Sequence, residues 1–522
     1  MTSKGFTMAD ADHPHSEELT SPNALRGILP QDPLGRIFSI VLLLYIIGIS
    51  AFNRGFAGLH ISVGEIPIFV GEATIALLVS LWIVSDWHAR RRRMVLDPLG
   101  ISLLIYALVG FGFAVKGLIA GYGLAAIRDF ALVYYLVFFF LAATFTERGG
   151  RPIWLMRSIV LGASIGSVAS VVQFASDPLL NYEHGASGAL ALLSWIAVIY
   201  VVVFRHEAAS IWARVAYLMV LVLGMVTIFL AAYRTLMAAM VASIALLWGL
   251  GFSSTGRRVP TIRSSALILT VVMLVSTVLI SISATTMAAA GDPGVPSQRV
   301  TLLQGVGTLS TRWVRGIIFG VRSEPGADSG ALGDTPEPET APGRQATGQN
   351  GAISVSEASL AFRLAAWRNA LHRISGNPLT GIGFGPAPAL YSDEHCLIPY
   401  SPTSNCGNAH NTYLTLAMRM GIPILIFFLA FNGYLLIRFS SALLQTHEPH
   451  EALLGILALV AYVSFGLYAF MSLFFESPYL SSLYWILIAV MHSFQTRPPA
   501  LRIATSRVPS GDEAHSGDVV PK

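Results

Sequence analysis

Along most of this chain the apolar positions do not alternate. They come as unbroken runs separated by short polar stretches, at about 37–52, 66–85, 99–120, 127–145, 153–174, 187–204, 213–233, 236–252, 264–286, 412–437, 452–475 and 479–495. A helix of roughly 20 residues crosses a hydrocarbon core of about 30 Å. Lipid offers no partner to a bare N–H or C=O, so only helices or a closed barrel can cross it, and continuous runs select helices. The pattern predicts an all-α, polytopic integral membrane protein with about twelve transmembrane helices.

Composition agrees. Of 522 residues, 54% are hydrophobic and 12% charged, about half the charged share of a soluble domain. The formal charge is only +4, and no basic tract is interleaved with aromatics as single-strand binding requires, so no nucleic-acid partner is expected. The polar residues 1–36 hold no short apolar stretch with a cleavage site. The first span is therefore expected to act as its own insertion signal.

Basic residues orient the spans. "HARRRR" (88–93), "ERGGR" (147–151), "FRHE" (204–207), "GRRVPTIR" (256–263), Arg438 at the end of span 10 and "RPPALRIATSR" (497–507) fall on one side if both termini are cytoplasmic. The expected organisation is a cytoplasmic tail over 1–36, spans 1–9 over 37–286, a large outer loop over 287–411, spans 10–12 over 412–495 and a second cytoplasmic tail over 496–522.

The loop has distinct parts. Residues 297–321 suit a surface helix, and 322–356, rich in Gly, Pro and acid, lack the apolar groups that repay ordering. Residues 357–375 are expected to form an amphipathic helix lying on the membrane. Leu360, Leu364, Trp367, Leu371 and Ile374 would share its apolar stripe, and Arg363, Arg368, His372 and Arg373 its polar side. Ser354 and Glu357 have capping-box spacing, and Gly376 and Pro378 stop the helix. Cys396 and Cys406, the only cysteines, are either a disulfide in an oxidising compartment or two free thiols.

Solitary cations at the outer span ends break the charge rule: Arg54, Lys116, Arg128 and Arg234. Each could snorkel to headgroups, or pair locally as Arg128 with Asp129. Taken with Arg363 and Arg368 they suit a shared anion, since guanidinium forks match phosphate oxygens. A lipid-linked diphosphate is the expected ligand. His410 and Asn411 precede span 10, where the helix macrodipole opposes a positive charge. A neutral imidazole there suits a general base, with Asn411 orienting a hydroxyl or the ring; the plainer reading is an interfacial His beside a helix cap.

"GIGFG" (381–385) is expected to be a tight turn positioning the next segment, its amides open to a substrate. Asp393, Glu394 and His395 are taken as solvated, Glu72 as bonded to a neighbouring helix and Glu476 as a partner for an arginine. No zinc-ligand spacing or Ser-His-Asp order occurs, so neither metal nor cofactor is expected. A transporter would distribute charges along its spans and repeat internally, whereas these charges gather at one face; a membrane acyltransferase has no need of an outer arginine ring.

"FRLAAWRNALHRISGNPLTGIGFGPAP" followed by "NAHNTYLTLAMRMG" resembles the signature region of the O-antigen ligase and polymerase superfamily. The matching features are an amphipathic helix, Asn-Pro-Leu, a Gly-x-Gly-x-Gly turn, then His-Asn with nine residues before Gly421. The resemblance implies a metal-independent glycosyltransferase of the bacterial inner membrane. It would move glycan from an undecaprenyl diphosphate-linked donor to a hydroxyl on the periplasmic face. His410 would be the base, and Arg234, Arg128 and Arg363 or Arg368 the diphosphate clamp. The acceptor would be lipid A-core for a ligase, or a second lipid-linked glycan for a repeat-unit or exopolysaccharide polymerase. Ile424 and Ala238 depart from the ligase pattern, which keeps the polymerase open.

Overall fold

The computed structural model describes residues 32–63, 66–88, 97–176, 188–208, 210–231, 234–253, 259–289, 355–385, 409–472, 474–475 and 477–496. The chain forms two compact units, 1–273 with 366–522, and 274–365. In the second, the described residues are the last part of one helix and the first part of another. The rest of this description concerns the first unit.

In chain order the helices are α1 (Pro33–Phe52), α2 (Arg54–Gly58), α3 (Val70–His88), α4 (Pro98–Ile119), α5 (Leu124–Asp129), α6 (Ala131–Tyr134), α7 (Val137–Glu147), α8 (Pro152–Ser176), α9 (Gly188–Val203), α10 (Ile211–Ala231), α11 (Arg234–Phe252) and α12 (Thr261–Ala289). They continue with α13 (Val355–Gly376), α14 (Thr412–Met420), α15 (Ile422–Gln445), α16 (Pro449–Phe470) and α17 (Pro478–Thr496). The all-α expectation holds, with one addition: an antiparallel hairpin of β1 (His60–Val63) and β2 (Ile66–Phe69), with Val63 opposite Ile66. Among the described residues eight helices are long and apolar enough to cross a membrane, and three shorter apolar helices accompany them.

Three expected spans differ. Span 2 begins as strand β2, because "ISVGEIPIF" puts β-branched residues at alternate positions around a glycine. Span 4 is broken into α5, α6 and α7 by i→i−3 bonds such as Val133 N to Phe130 O (2.8 Å) and Leu136 N to Val133 O (3.0 Å). Span 10 divides at Gly421, which has φ +90° and ψ 165°, into the nine-residue α14 and the longer α15. Arg438 therefore lies inside a helix that continues to Gln445 rather than ending one.

All sixteen residues of α9 are buried, as is α17 from Tyr479 to Phe494. Meanwhile α10 exposes Ile211, Trp212, Leu218, Met219 and Val222. A helix apolar all round, buried or facing lipid, needs no polar face. With lipid outside, apolar burial cannot hold helices together, so close backbone approach and polar bridges do. On α8 a Cβ at Gly162 would lie 2.5 Å from the Ile47 carbonyl oxygen of α1, and one at Gly166 2.5 Å from that of Ala51. Ser243 of α11 accepts from the Trp195 indole of α9 (3.2 Å) and bonds Ser464 of α16 (2.7 Å).

The α1–α8 contact gives a first prediction. Gly166→Val forces the two backbones apart, an overpacking worth about 1–3 kcal/mol. It is expected to lower the thermal midpoint of the detergent-solubilised protein. Gly249→Ala, whose Cβ meets nothing within 4 Å, is expected to leave it unchanged.

Polar contacts define one end of the bundle. Arg148 reaches Ser85 (2.7 Å), Arg157 and His450 both reach Glu207 (3.2 and 2.8 Å), and Arg205 bonds Ser265 (2.8 Å). The ends of α3, α7, α9 and α11 therefore lie there with the starts of α8, α12 and α16. The opposite end carries the ends of α4, α10 and α16 and the starts of α5, α11, α14 and α17, and there the candidate site lies.

Candidate functional site

The site is built around α14. A nine-residue helix is too short to persist alone, and this one is held at both ends. Asn411, extended at φ −152°, caps it by accepting the Leu414 N–H at 3.0 Å. Thr412 ties it to the α16–α17 connection, donating to the Ser472 carbonyl (3.1 Å) and accepting the Phe474 N–H (3.0 Å). Tyr413 donates to the Gly466 carbonyl of α16 at 3.1 Å. His410 stands just before the cap, half-buried, in a left-handed backbone conformation with φ +45°. That conformation is costly for a residue with a Cβ, by roughly 1–2 kcal/mol, though histidine is among those that tolerate it.

At the other end the glycine-rich turn satisfies the last carbonyls of the helix. The N–H of Ile382 donates to Met418 O (2.8 Å) and that of Gly383 to Arg419 O (3.0 Å). Gly381 N donates to Asn377 O (2.9 Å), and Gly385 N to the Asp129 carboxylate (2.8 Å). Four amides of the turn are thus consumed by the protein, which corrects the expectation that they face a substrate. The positioning role stands. Phe384, fully buried, packs against Phe113 of α4 and Phe130, and a Cβ at Gly117 would lie 2.4 Å from its carbonyl oxygen.

Asp129 is engaged across the fold. Its Oδ2 lies 2.9 Å from Nη2 of Arg419 on α14, both side chains almost fully buried, and Nη1 of Arg419 donates to Gly383 O at 3.3 Å. Neither Asp129 nor Arg419 was singled out as a site residue from sequence. A lone arginine in an apolar run was the available signal.

The α13 helix spans Val355–Gly376 and ends where Gly376 and Pro378 were expected to stop it. Of the expected stripe, Ile374 is buried and Trp367 packs against the same cluster. Ala366, Asn369, Ala370 and Ile374 are buried, and Ala370 and Ile374 pack with Ala409, Ala417 and Met418 of the α14 segment. Leu371 is 53% exposed, and Leu364 is exposed in the second unit. The expected polar side splits: Arg368 and His372 are exposed, while Arg373 is half-buried one turn from Asn369.

Arg128 lies on α5 beside Asp129, and Arg234 opens α11 at the same end as α14. Arg54 opens α2, and Lys116 is exposed in the last turn of α4. Arg368 belongs to this unit; Arg363 belongs to the second. Glu72 does bond a neighbour, accepting from the hydroxyls of Tyr134 (3.2 Å) and Tyr135 (3.3 Å). Cys396, Cys406, the 393–395 cluster, Glu476, the 297–321 segment and residues 322–354 lie outside the described residues.

A comparison with curated proteins returns no match to the chain. Residues 219–429 match the family model described as O-Antigen ligase. That stretch opens inside α10, closes inside α15 and contains Arg234, the glycine-rich turn, His410 and Asn411, so over these residues this membrane protein is similar to the O-antigen ligase family.

Proposed function

We propose that the chain is a glycosyltransferase of cell-surface polysaccharide assembly. It takes glycan from an undecaprenyl diphosphate-linked donor and gives it to an acceptor hydroxyl at the periplasmic face of a bacterial inner membrane. The end of the bundle carrying the basic loops faces the cytoplasm, and the α14 end faces out. The observation that carries this reading is His410, held in a left-handed backbone ahead of a capped short helix, at the end where Arg128 lies in the last turn of α5 and Arg234 begins α11. Costly backbone conformations persist where the surroundings over-determine them, and they concentrate at working sites.

In the reaction the acceptor oxygen attacks the anomeric carbon as the bond from that carbon to the diphosphate oxygen breaks. The acceptor proton passes to the imidazole of His410, and Asn411 fixes the helix start that aims it. Negative charge grows on the departing undecaprenyl diphosphate, where Arg234, Arg128 and Arg368 stabilise it. Charge neutralisation falls to guanidinium groups, and the step calls on no metal or cofactor.

The acceptor is lipid A-core in the ligase reading. Ile424 and Ala238 favour a second reading, a repeat-unit polymerase with the same donor chemistry and a lipid-linked glycan as acceptor.

Arg234→Ala, expressed in the source cell in place of the native protein, tests the reading. Long surface glycan is expected to fall at least tenfold at normal protein amount. Lipid-linked polymer accumulates if the enzyme is a ligase, single lipid-linked repeats if it is a polymerase. Unchanged glycan would remove Arg234 from the diphosphate site.

A further inference from the structure

Three segments distant in sequence meet at one buried charge pair. Asp129 comes from α5, Arg419 from α14, and the turn 381–385 contributes its Gly385 N–H and Gly383 carbonyl. The two side chains are 8% and 3% exposed. A buried ion pair is a poor means of gaining stability, because desolvating both ions offsets their attraction. Replacing such a pair with apolar residues of similar volume is often neutral, while removing one partner alone is severe. What such a pair supplies is register: it is satisfied in one relative placement of its elements and in no slipped one.

Here the elements matter. The residue before Asp129 is Arg128, on the same short helix α5, and the helix that carries Arg419 is the one whose start carries His410 and Asn411. We infer that the Asp129–Arg419 pair, with the Gly383–Gly385 strap, is a positioning device that sets the distance between the diphosphate-binding α5 and the base-bearing α14. This rests on the transferase reading above. Asp129 and Arg419 touch neither substrate nor the reacting atoms; they hold the groups that do. Misplacement of reacting groups by about 1 Å can reduce a rate by about 10²-fold, so the pair controls turnover more than it controls folding.

The test is steady-state transfer by the full-length protein in vesicles, with a lipid-linked glycan donor. Wild type is compared with the apolar pair Asp129→Leu/Arg419→Met, with Asp129→Glu and with His410→Ala. Both pair variants are expected to keep a near-native thermal midpoint and donor KM while kcat falls 10- to 100-fold. Asp129→Glu keeps the charges but shifts α5 by one methylene, so it decides the matter if the apolar pair does not accumulate. Wild-type kcat in either variant overturns the positioning role, as does a rate loss that only follows a loss of folded protein. The transferase reading fails separately: a wild-type protein that transfers no glycan from the lipid-linked donor sinks it whatever the pair variants do, and an active His410→Ala protein removes only the base.

Discussion

Removal of the His410 imidazole is expected to lower glycan transfer by about 10²–10⁴-fold, the usual contribution of a positioned general base. The choice of variant makes this prediction sharp. His410 has φ +45°, so alanine retains the backbone strain while glycine relieves it. His410→Gly is therefore expected to be no less thermally stable than the native protein, and more stable by up to about 1 kcal/mol. His410→Ala should sit slightly below native. Both should be equally inactive. An interfacial histidine with no chemical role predicts the reverse pattern, with activity unchanged in both and only stability moving. Transfer measured in vesicles beside the thermal midpoint separates the two, and transfer above a tenth of native in His410→Gly would end the general-base assignment. The lipid-linked species that accumulates in the cell then names the acceptor, polymer for a ligase and single repeats for a polymerase.

What sequence could and could not reveal follows from the range of the interactions involved. Membrane helices announce themselves because a hydrocarbon core imposes an unbroken apolar run on each, a local property. The end of α13 was equally local, written in Gly376 and Pro378. The break in span 10 was not, since α14 and α15 are both apolar on either side of Gly421 and hydropathy runs through it. The face of α13 that meets the rest of the fold was hidden for a related reason. Ala370 and Ile374 pack with Ala409, Ala417 and Met418 while Leu364 and Leu371 stay exposed, because the partner segment decides which face is used. Arg419 left a local trace as a lone arginine in an apolar run, but its pairing with Asp129 lay beyond any local reading, because it exists only when the fold brings α5 and α14 together. His410 and Asn411 were visible as a motif, but the left-handed backbone that distinguishes His410 from an ordinary interfacial histidine is a fact of three dimensions.

Gly421 is where a single methyl group should do the most damage to the fold. Its φ of +90° and ψ of 165° lie in a region that residues with a Cβ essentially do not enter. The space is closed as well, since a Cβ there would fall 2.2 Å from the carbonyl oxygen and 2.5 Å from the carbonyl carbon of Leu379. Those are backbone atoms, held by the bond from Ile422 N to Pro378 O at 2.8 Å, and they cannot swing aside as a side chain could. Backbone strain of about 1–3 kcal/mol and overpacking of about 1–3 kcal/mol then add. Gly421→Ala is expected to abolish accumulation of folded protein, or to lower its thermal midpoint more than any other glycine-to-alanine change in the turn region. Gly383 supplies the contrast. It too has a positive φ, +81°, but its Cβ would meet nothing within 4 Å, so Gly383→Ala carries the backbone term alone and the protein should accumulate. Measured by solubilised protein amount and thermal midpoint, the order Gly383→Ala above Gly421→Ala follows from the wedge between α13 and α15. Equal stability of the two variants would mean that the chain passes Gly421 by another route, and that α14 and α15 are one continuous helix after all.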